Sequence, residues 1–545
     1  MQLNKRRKRY KDPVYGYIKL DEKLFECFID TPEFQRLRYI RQTGYMPVYS
    51  SATHNRFVHS IGVYHLGVLA FDALQKNVSD NKLSIPQDFD WTNCRDVFLK
   101  ACLLHDVGHA PFSHTGEGLY RESATNIDVQ LGELVGSTTF KKDISSVKAA
   151  NPHETISAMV GLFVYGDHLK NAADKEFFAR CITGYLYSAK GEEYEIKNAI
   201  ISLLNSQTID VDKLDYLIRD SFETGFKTTV IDYERLLSGV TLCKNMSDNY
   251  NEDSEKYELA YCSSSISVLE NVVLARDSEK RWIQNHPVII YEDMLLRHVL
   301  KSVSHEFFGN VSELFCLKSL TKEGHTVNEK VIRLLCDDDI ISYAKQLKND
   351  KCASLFFDRG LRHKPFWKSE EEFKALLRSR FNGRERVALI RRFVNLENVL
   401  MEITDLPFVN AKAIEQLSKY IEEKKGEALL AGTEKSLLES NIKKYETSLE
   451  IAKNLLQLAE DQNDCEFAII ATDDFNSGFA SGSLENTLIS VAGRNRPVKL
   501  KEVSRLFEAE KSDDKFFYIY SNKKEELPTA KIVNWIYDDV RSLDL

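Results

Sequence analysis

Ala101-Cys102-Leu103-Leu104-His105-Asp106-Val107-Gly108-His109-Ala110-Pro111-Phe112-Ser113-His114 is the stretch on which the reading of this chain turns. Its apolar opening continues a helical period in which Val97, Phe98, Ala101, Cys102 and His105 share one face. The helix therefore delivers an imidazole and a carboxylate to its own buried end. Burying both without partners costs on the order of several kcal/mol. A metal ion with imidazole and carboxylate ligands removes that cost. Adjacent helical residues diverge by about 100°, so His105 and Asp106 share an ion most easily at a frayed terminus, and Gly108 supplies the break. A lone His-Asp pair arises by chance in long chains. Six of the thirteen histidines falling within residues 54–114 is a stronger signal.

Upstream, His54-Asn55-Arg56-Phe57-Val58-His59-Ser60 opens a helix. Downstream, Pro152-His153-Glu154 starts another, and Asp212, Asp215, Tyr216 and Asp220 lie on a fourth. Asp212, Tyr216 and Asp220 are spaced i, i+4, i+8 and line one face. Alone, that face reads as an exposed, salt-bridged helix. Beside the histidines it reads as one carboxylate reaching a metal and two groups extending along a substrate, with Lys213 and Arg56 neutralising phosphate oxygens. Two imidazoles and two carboxylates suit iron, manganese, zinc, cobalt or nickel. A divalent metal suits hydrolysis at phosphorus, because it lowers the pKa of bound water and polarises a phosphoryl oxygen.

The remaining sequence frames this core. At 545 residues two or three domains are expected. The expected divisions are an arm over 1–40, a helical core over 41–310, a helical region over 311–462 and a small α+β lobe over 463–545. The fold class is mainly α. Asp12-Pro13 and Gly16 mark turns in the arm, and Thr31 is an expected N-cap with Pro32 at the first helical position. Leu438, Ile442, Tyr445, Leu449, Ala452, Leu456 and Ala459 make an a/d seam, read as a long amphipathic helix packed on its own domain rather than a dimeric coiled coil. In the last segment Phe467–Thr472, Thr487–Val491 and Phe516–Tyr520 read as short strands.

A net charge of −9 argues against a general nucleic-acid binder. The basic run Lys5–Arg9 reads first as a solvated arm, with anion binding as the second reading. Ten scattered cysteines without a CxxC pair are the pattern of reduced thiols, not of a disulfide framework or zinc ribbon. No stretch is expected to be long and apolar enough to cross a membrane, no apolar leader is read at the start, and a cytoplasmic location is expected.

HNRFVHSIGV, LLHDVGHAPFSH, the HE of PHETI and IDVDKLDYLIRD, in this order and preceded by DTPEFQRLRYIRQTG at 30–44, resemble the HD-domain deoxynucleoside triphosphate triphosphohydrolases. The resemblance covers most of the chain. It implies hydrolysis of dNTPs to deoxynucleoside and triphosphate, with one divalent transition metal held by His59, His105, Asp106 and Asp212, and magnesium accompanying the nucleotide. It implies Arg56, His109, His114, Lys213 and Tyr216 around the phosphates. His114 becomes the general acid for the leaving 5′ oxygen, oriented by Glu117, and His153, supported by Glu154, positions the attacking water or the α-phosphate. Gln42 and Asp220 match residues that read the sugar's 3′-hydroxyl. Asp30, Gln35 and Arg38 match an effector-base site, and Lys8 a lysine that holds effector phosphates between subunits of a dimer or tetramer. Three departures stand out: Lys11 before Asp12, Thr43 beside Gln42, and Gln284 where an arginine is expected.

Two further readings compete. One is an HD nucleotidase or phosphodiesterase acting on another nucleotide, which calls for a second metal and additional histidine ligands. The other is a non-enzymatic HD protein that senses nucleotides or binds nucleic acid, which calls for broken ligands or a basic aromatic groove.

Overall fold

The computed structural model describes residues 7–541 apart from 47, 82, 84, 123–125, 227–228, 247–254, 378–382, 431–434, 473–483, 492–495 and 508–515. Lys5 and Arg6 of the basic arm lie outside the described residues. The chain folds as two units. Unit 1 comprises Met1–Glu279, Leu300–Leu347 and Ser477–Lys511, and unit 2 comprises Lys280–Val299, Lys348–Asn476 and Ser512–Leu545.

Unit 1 begins with an antiparallel hairpin, β1 (Arg7–Asp12) and β2 (Gly16–Asp21). Asp12 closes its turn by accepting from the amides of Val14 and Tyr15 at 2.8 and 3.0 Å, and Gly16 takes a φ of +75° that a side chain would resist. Thr31 precedes only a one-turn helix, Pro32–Gln35, and its hydroxyl donates to the Phe28 carbonyl instead of capping.

Four helices carry the chemistry. α1 (Arg56–Asp80) is capped by Asn55, and α2 (Trp91–Leu104) by Asp90. α3 (Pro152–Tyr165) starts in a capping box of Asn151 and Glu154, and α4 (Val211–Thr224) is capped by Asp210 and ended by Gly225. Each cap satisfies amide donors that a helix start leaves open. Val97, Phe98, Ala101 and Cys102 of α2 are all buried, as the period requires. α4 lies directly on α1 at Gly62, where a Cβ would stand 1.9 Å from Asp215 Oδ1.

The mainly α class is borne out, with three corrections. Residues 240–262 carry a second hairpin, β3 (Val240–Met246) and β4 (Glu255–Cys262), inside the region read as helical. Its buried positions Val240, Leu242, Tyr257 and Tyr261 share one sheet face, a period of two that a helical window averages away. Next, segment 463–545 supplies strands to two sheets. Leu488–Ser490 joins β4 in parallel within unit 1, whereas Phe467–Ala471 and Phe517–Ser521 pair in unit 2. Finally, α1 is long and apolar enough to cross a membrane, with a mean hydropathy of 1.4, but 67% of that window is buried inside the protein. It is apolar because neighbours surround it.

Unit 2 holds a four-stranded antiparallel sheet in the order Lys364–Pro365, Phe517–Ser521, Phe467–Ala471, Phe408–Val409. Its helices include α5 (Pro287–Phe308, in this unit up to Val299), α6 (Lys351–Phe357), α7 (Gly383–Thr404), α8 (Ala411–Leu430) and α9 (Lys435–Leu456). The a/d seam of α9 packs within this unit: Tyr445 and Leu449 meet Val399 of α7 and Leu417 and Ile421 of α8.

Candidate metal centre and active site

α1, α2 and α4 bring His59, His105, Asp106 and Asp212 together. His59 Nε2 stands 3.2 Å from His105 Nε2, 2.9 Å from Asp212 Oδ1 and 3.5 Å from Asp106 Oδ2. His105 Nε2 lies 3.4 Å from Asp106 and 3.5 Å from Asp212. The other nitrogen of each ring already has an acceptor. His59 Nδ1 donates to Asp215 Oδ2 at 2.7 Å, and His105 Nδ1 donates to the Cys102 carbonyl at 2.9 Å. With both Nδ1 protons so committed, two Nε2 lone pairs and two carboxylates face one point. Only a cation satisfies such a set, so the donors fit a divalent metal with its orienting hydrogen bonds in place. Without metal a proton fills that role. Burial opposes charge on His59, but hydrogen bonds to Asp212 and Asp215 outweigh it and push the imidazole up to about 10.

Behind His59 runs a buried chain of charges that the sequence reading left without a role. Asp215 receives Arg219 through both its oxygens, at 2.9 and 3.0 Å, and Arg219 reaches Asp12 of β1 at 3.0 Å. Asp12, Asp215 and Arg219 are fully buried. Arg219 follows Asp215 by four residues, one helical turn, which is the pattern that marks the pair in sequence. The link to Asp12 spans most of the unit and has no local signature.

The second half of the site is built around Glu117. One of its oxygens accepts from His114 Nδ1, and the other accepts from His153 Nδ1 at 2.8 Å. Burial disfavours the Glu117 charge, yet His153 and His114 hold the carboxyl well below its usual range. Burial likewise opposes charge on His153, and Glu117 overrides it, raising His153 to about 9. The side chain of His114 is 68% exposed, with Nε2 3.3 Å from the Arg56 guanidinium. Arg56 also donates to Asp106 at 2.8 Å and to Ser113 Oγ at 3.0 Å. His109 bridges the two halves: its Nε2 is 3.1 Å from Asp106, and its ring stacks on His153 at 4.3 Å.

His114 is presented by a loop in which Phe112 and Ser113 have φ of +60° and +52°. Such conformations cost on the order of 1–3 kcal/mol each and persist only where neighbours impose them. Here Asp337 Oδ1 accepts from the Phe112 amide at 2.7 Å, and Ser113 Oγ donates to the Arg41 carbonyl at 2.5 Å. Gly108 is equally constrained, since a Cβ there would stand 2.3 Å from the Ser157 amide nitrogen.

Other expected residues sit as follows. Glu154 supports His153 through its charge, which favours the protonated imidazole, and not through a hydrogen bond. As the third residue of its helix it accepts from the Asn151 amide at 2.7 Å, so its carboxylate is spent on the cap. Lys213 is turned to Asp210 and to the Ser206 carbonyl. Tyr216 is half-buried on α4. Gln42, His54 and Asp220 gather, with the Gln42 amide on the His54 carbonyl at 3.1 Å and His54 Nε2 2.6 Å from Asp220, while Gln42 Oε1 is buried without a hydrogen-bond partner. Gln35 and Arg38 are joined at 2.7 Å near exposed Asp30, Arg38 stacks over Phe57, and Lys8 lies over Phe25.

No family model matches the chain. It is 29% identical over 330 residues to Deoxynucleoside triphosphate triphosphohydrolase SAMHD1 of Danio rerio, across 58% of this chain and 48% of that protein. It is 28% identical over 357 residues to Uncharacterized protein YwfO of Bacillus subtilis, across 64% of this chain and 68% of that protein. The match thus spans about half the length of the first relative. A crystal structure of a hypothetical protein from Aquifex aeolicus shares the fold, with a TM-score of 0.53 at 18% identity, covering 97% of this chain and 100% of that one. The Danio rerio relative bears out the resemblance to the dNTP triphosphohydrolases.

Proposed function

We propose that this chain is a metal-dependent phosphohydrolase that converts deoxynucleoside triphosphates to deoxynucleoside and inorganic triphosphate. One observation carries the reading: a cluster of four metal-suited donors stands beside two histidines held by a single glutamate, the halves joined through His109. The relatives named as dNTP triphosphohydrolases support the substrate class.

His59, His105, Asp106 and Asp212 would hold the metal, which supplies Lewis-acid polarisation and a water of lowered pKa. The chain's own groups do the rest. Water adds at the α-phosphorus and loses a proton to solvent, and the bond from phosphorus to the 5′ oxygen breaks with its electron pair left on that oxygen. His114 acts as general acid, passing a proton from Nε2 to that leaving oxygen while Glu117 accepts from Nδ1. His153, kept charged by Glu117, and Arg56 bind phosphate oxygens. Lys213 joins them by swinging from Asp210. Gln42 and Asp220 receive the sugar. Asp30, Gln35 and Arg38, with Lys8, form a nucleotide-effector site between chains of a cytoplasmic homo-oligomer.

Chelator-stripped protein, reloaded with transition metal and given dNTPs and NTPs, tests this. Turnover of dNTPs that needs metal, fails in Asp212→Ala and greatly exceeds that of NTPs is the expected result. A site that leaves buried polar groups unpaired around the wrong sugar discriminates strongly. Full activity of Asp212→Ala under chelator would sink the assignment. A second reading, a binuclear HD phosphodiesterase or nucleotidase, is favoured by the donor group His109, His114, Glu117 and His153. Two metals within unit 1 and turnover of nucleoside monophosphates or cyclic dinucleotides would establish it instead.

A further inference from the structure

A separate group of donors lies in unit 2. His298 on α5 faces Asp350 and Cys352 at the start of α6, with donor atoms of all three within 4.8 Å of one another. A fourth residue, Asp405, comes from the turn after α7. His298 Nε2 is 3.6 Å from Asp350 Oδ2, and its Nδ1 is 3.6 Å from Asp405 Oδ2.

No hydrogen bond holds this arrangement, although His298 is within ion-pair distance of both carboxylates. Imidazoles hydrogen-bonded to a single carboxylate close further, to 2.7 Å in His59 with Asp215 and 2.8 Å in His153 with Glu117. At the HD centre, by contrast, His59 with Asp106 and His105 with Asp106 and Asp212 stand at 3.4–3.5 Å. His298 stands between two carboxylates and hydrogen-bonds to neither, and its Nδ1 is buried with no hydrogen-bond partner. The separation fits a different occupant. Donors around one tetrahedral ion stand roughly 3.3–3.7 Å apart, given bonds of about 2.0–2.3 Å to nitrogen, oxygen and sulfur. Asp350 is also fixed in advance: its Oδ1 caps α6 through the Ala353 amide at 2.8 Å, which leaves Oδ2 for the site. Cys352 is fully buried, so its thiol points into the protein rather than to solvent.

We propose that His298 Nε2, Asp350 Oδ2 and Cys352 Sγ bind a second transition-metal ion of the zinc class, independent of the HD centre. The mixed sulfur, nitrogen and oxygen set favours zinc or cobalt over magnesium or calcium. Asp405 orients the imidazole from its far side, as carboxylates do behind metal-bound histidines. The ion ties α5, α6 and the turn after α7 together, and its fourth position is left to water. On loading, the thiol proton leaves to solvent as the sulfur–metal bond forms.

The test is cobalt loading of the stripped full-length chain, read by metal content and by the thiolate-to-cobalt charge-transfer band. The HD centre has no sulfur ligand, so that band reports unit 2 alone. It is expected in the wild type and in Asp212→Ala, which empties the HD centre. Cys352→Ser should lose the band and about one metal per chain while keeping its phosphohydrolase activity. Should Cys352→Ser fail to fold by circular dichroism, His298→Gln serves, with cobalt affinity expected to fall at least roughly tenfold. A wild type without the band, or a band that persists in folded Cys352→Ser or unweakened in folded His298→Gln, overturns the proposal.

Discussion

Asp215 Oδ2 lies 2.7 Å from His59 Nδ1 and binds Arg219 Nε at 2.9 Å, so one buried carboxylate both orients a metal-suited imidazole and neutralises a buried guanidinium. Asp215→Asn removes the charge from both tasks. Loss of such an orienting partner typically costs about 10–100-fold in metal affinity. Breaking a buried ion pair outright costs about 3–5 kcal/mol, and Asp12, which still binds Arg219 at 3.0 Å, keeps the loss below that range. Chelator competition and denaturant unfolding should register both effects. Unchanged metal affinity in the folded variant would show that Asp215 only stabilises the fold.

Glu117 and Glu154 provide a paired prediction. Glu117→Gln should retain metal yet lower kcat by roughly two orders of magnitude or more, the usual scale for a disabled acid–base group. Glu154→Ala should cost about 0.5–2 kcal/mol of stability through the lost cap and leave kcat near wild type. A comparable collapse of kcat in a folded Glu154→Ala protein would restore the role its neighbour His153 first suggested for it.

The pH dependence follows from His153. In the folded chain it is raised from 6.5 to about 9 because Glu117 outweighs burial. The pair therefore stabilises the protein fully below about 6.5, and that stability is lost as pH rises through about 9. With a charged His153 holding phosphate, kcat should fall on the alkaline side near pH 9. Glu117→Gln removes the largest contribution that opposes burial, leaving only the weaker ones of Glu154 and Asp106, so the same limb should move to lower pH. A limb at the same pH in both proteins assigns it to another group.

Activity should also depend on assembly. Asp30, Gln35 and Arg38 have no evident task in a centre built from α1, α2, α3 and α4. An effector held between chains stabilises the oligomer by mass action, and by linkage the oligomer binds effector more tightly. Light scattering with each NTP and dNTP, on wild type and Arg38→Ala, is expected to show a larger species that the variant fails to form. A fully active monomer, indifferent to every nucleotide, would leave the β1–β2 hairpin, whose Asp12, Ile18 and Leu20 are buried, a structural role alone.

Much of this was legible before any coordinates. The apolar run into His105-Asp106, the Gly108 break and the i, i+4, i+8 face of α4 each depend on local periodicity, and the helices follow them. What stayed hidden depends on contacts between distant segments. Glu154 looked like a partner for His153 because it is adjacent, whereas the capping box that claims it is a backbone requirement. Asp12 meets Arg219 across 207 positions, and Asp337 meets Phe112 across 225. The β3–β4 hairpin was hidden because its apolar residues, read in a long window, resemble one more amphipathic helix.

The central claim is water attack at the α-phosphorus with departure of the intact 5′ oxygen. Turnover of dGTP by the metal-loaded chain in heavy-oxygen water, with separation and mass analysis of the products, tests it most directly. The account predicts unlabelled deoxyguanosine and inorganic triphosphate carrying a single heavy oxygen. Deoxyguanosine monophosphate with pyrophosphate, or label in the nucleoside, would contradict it.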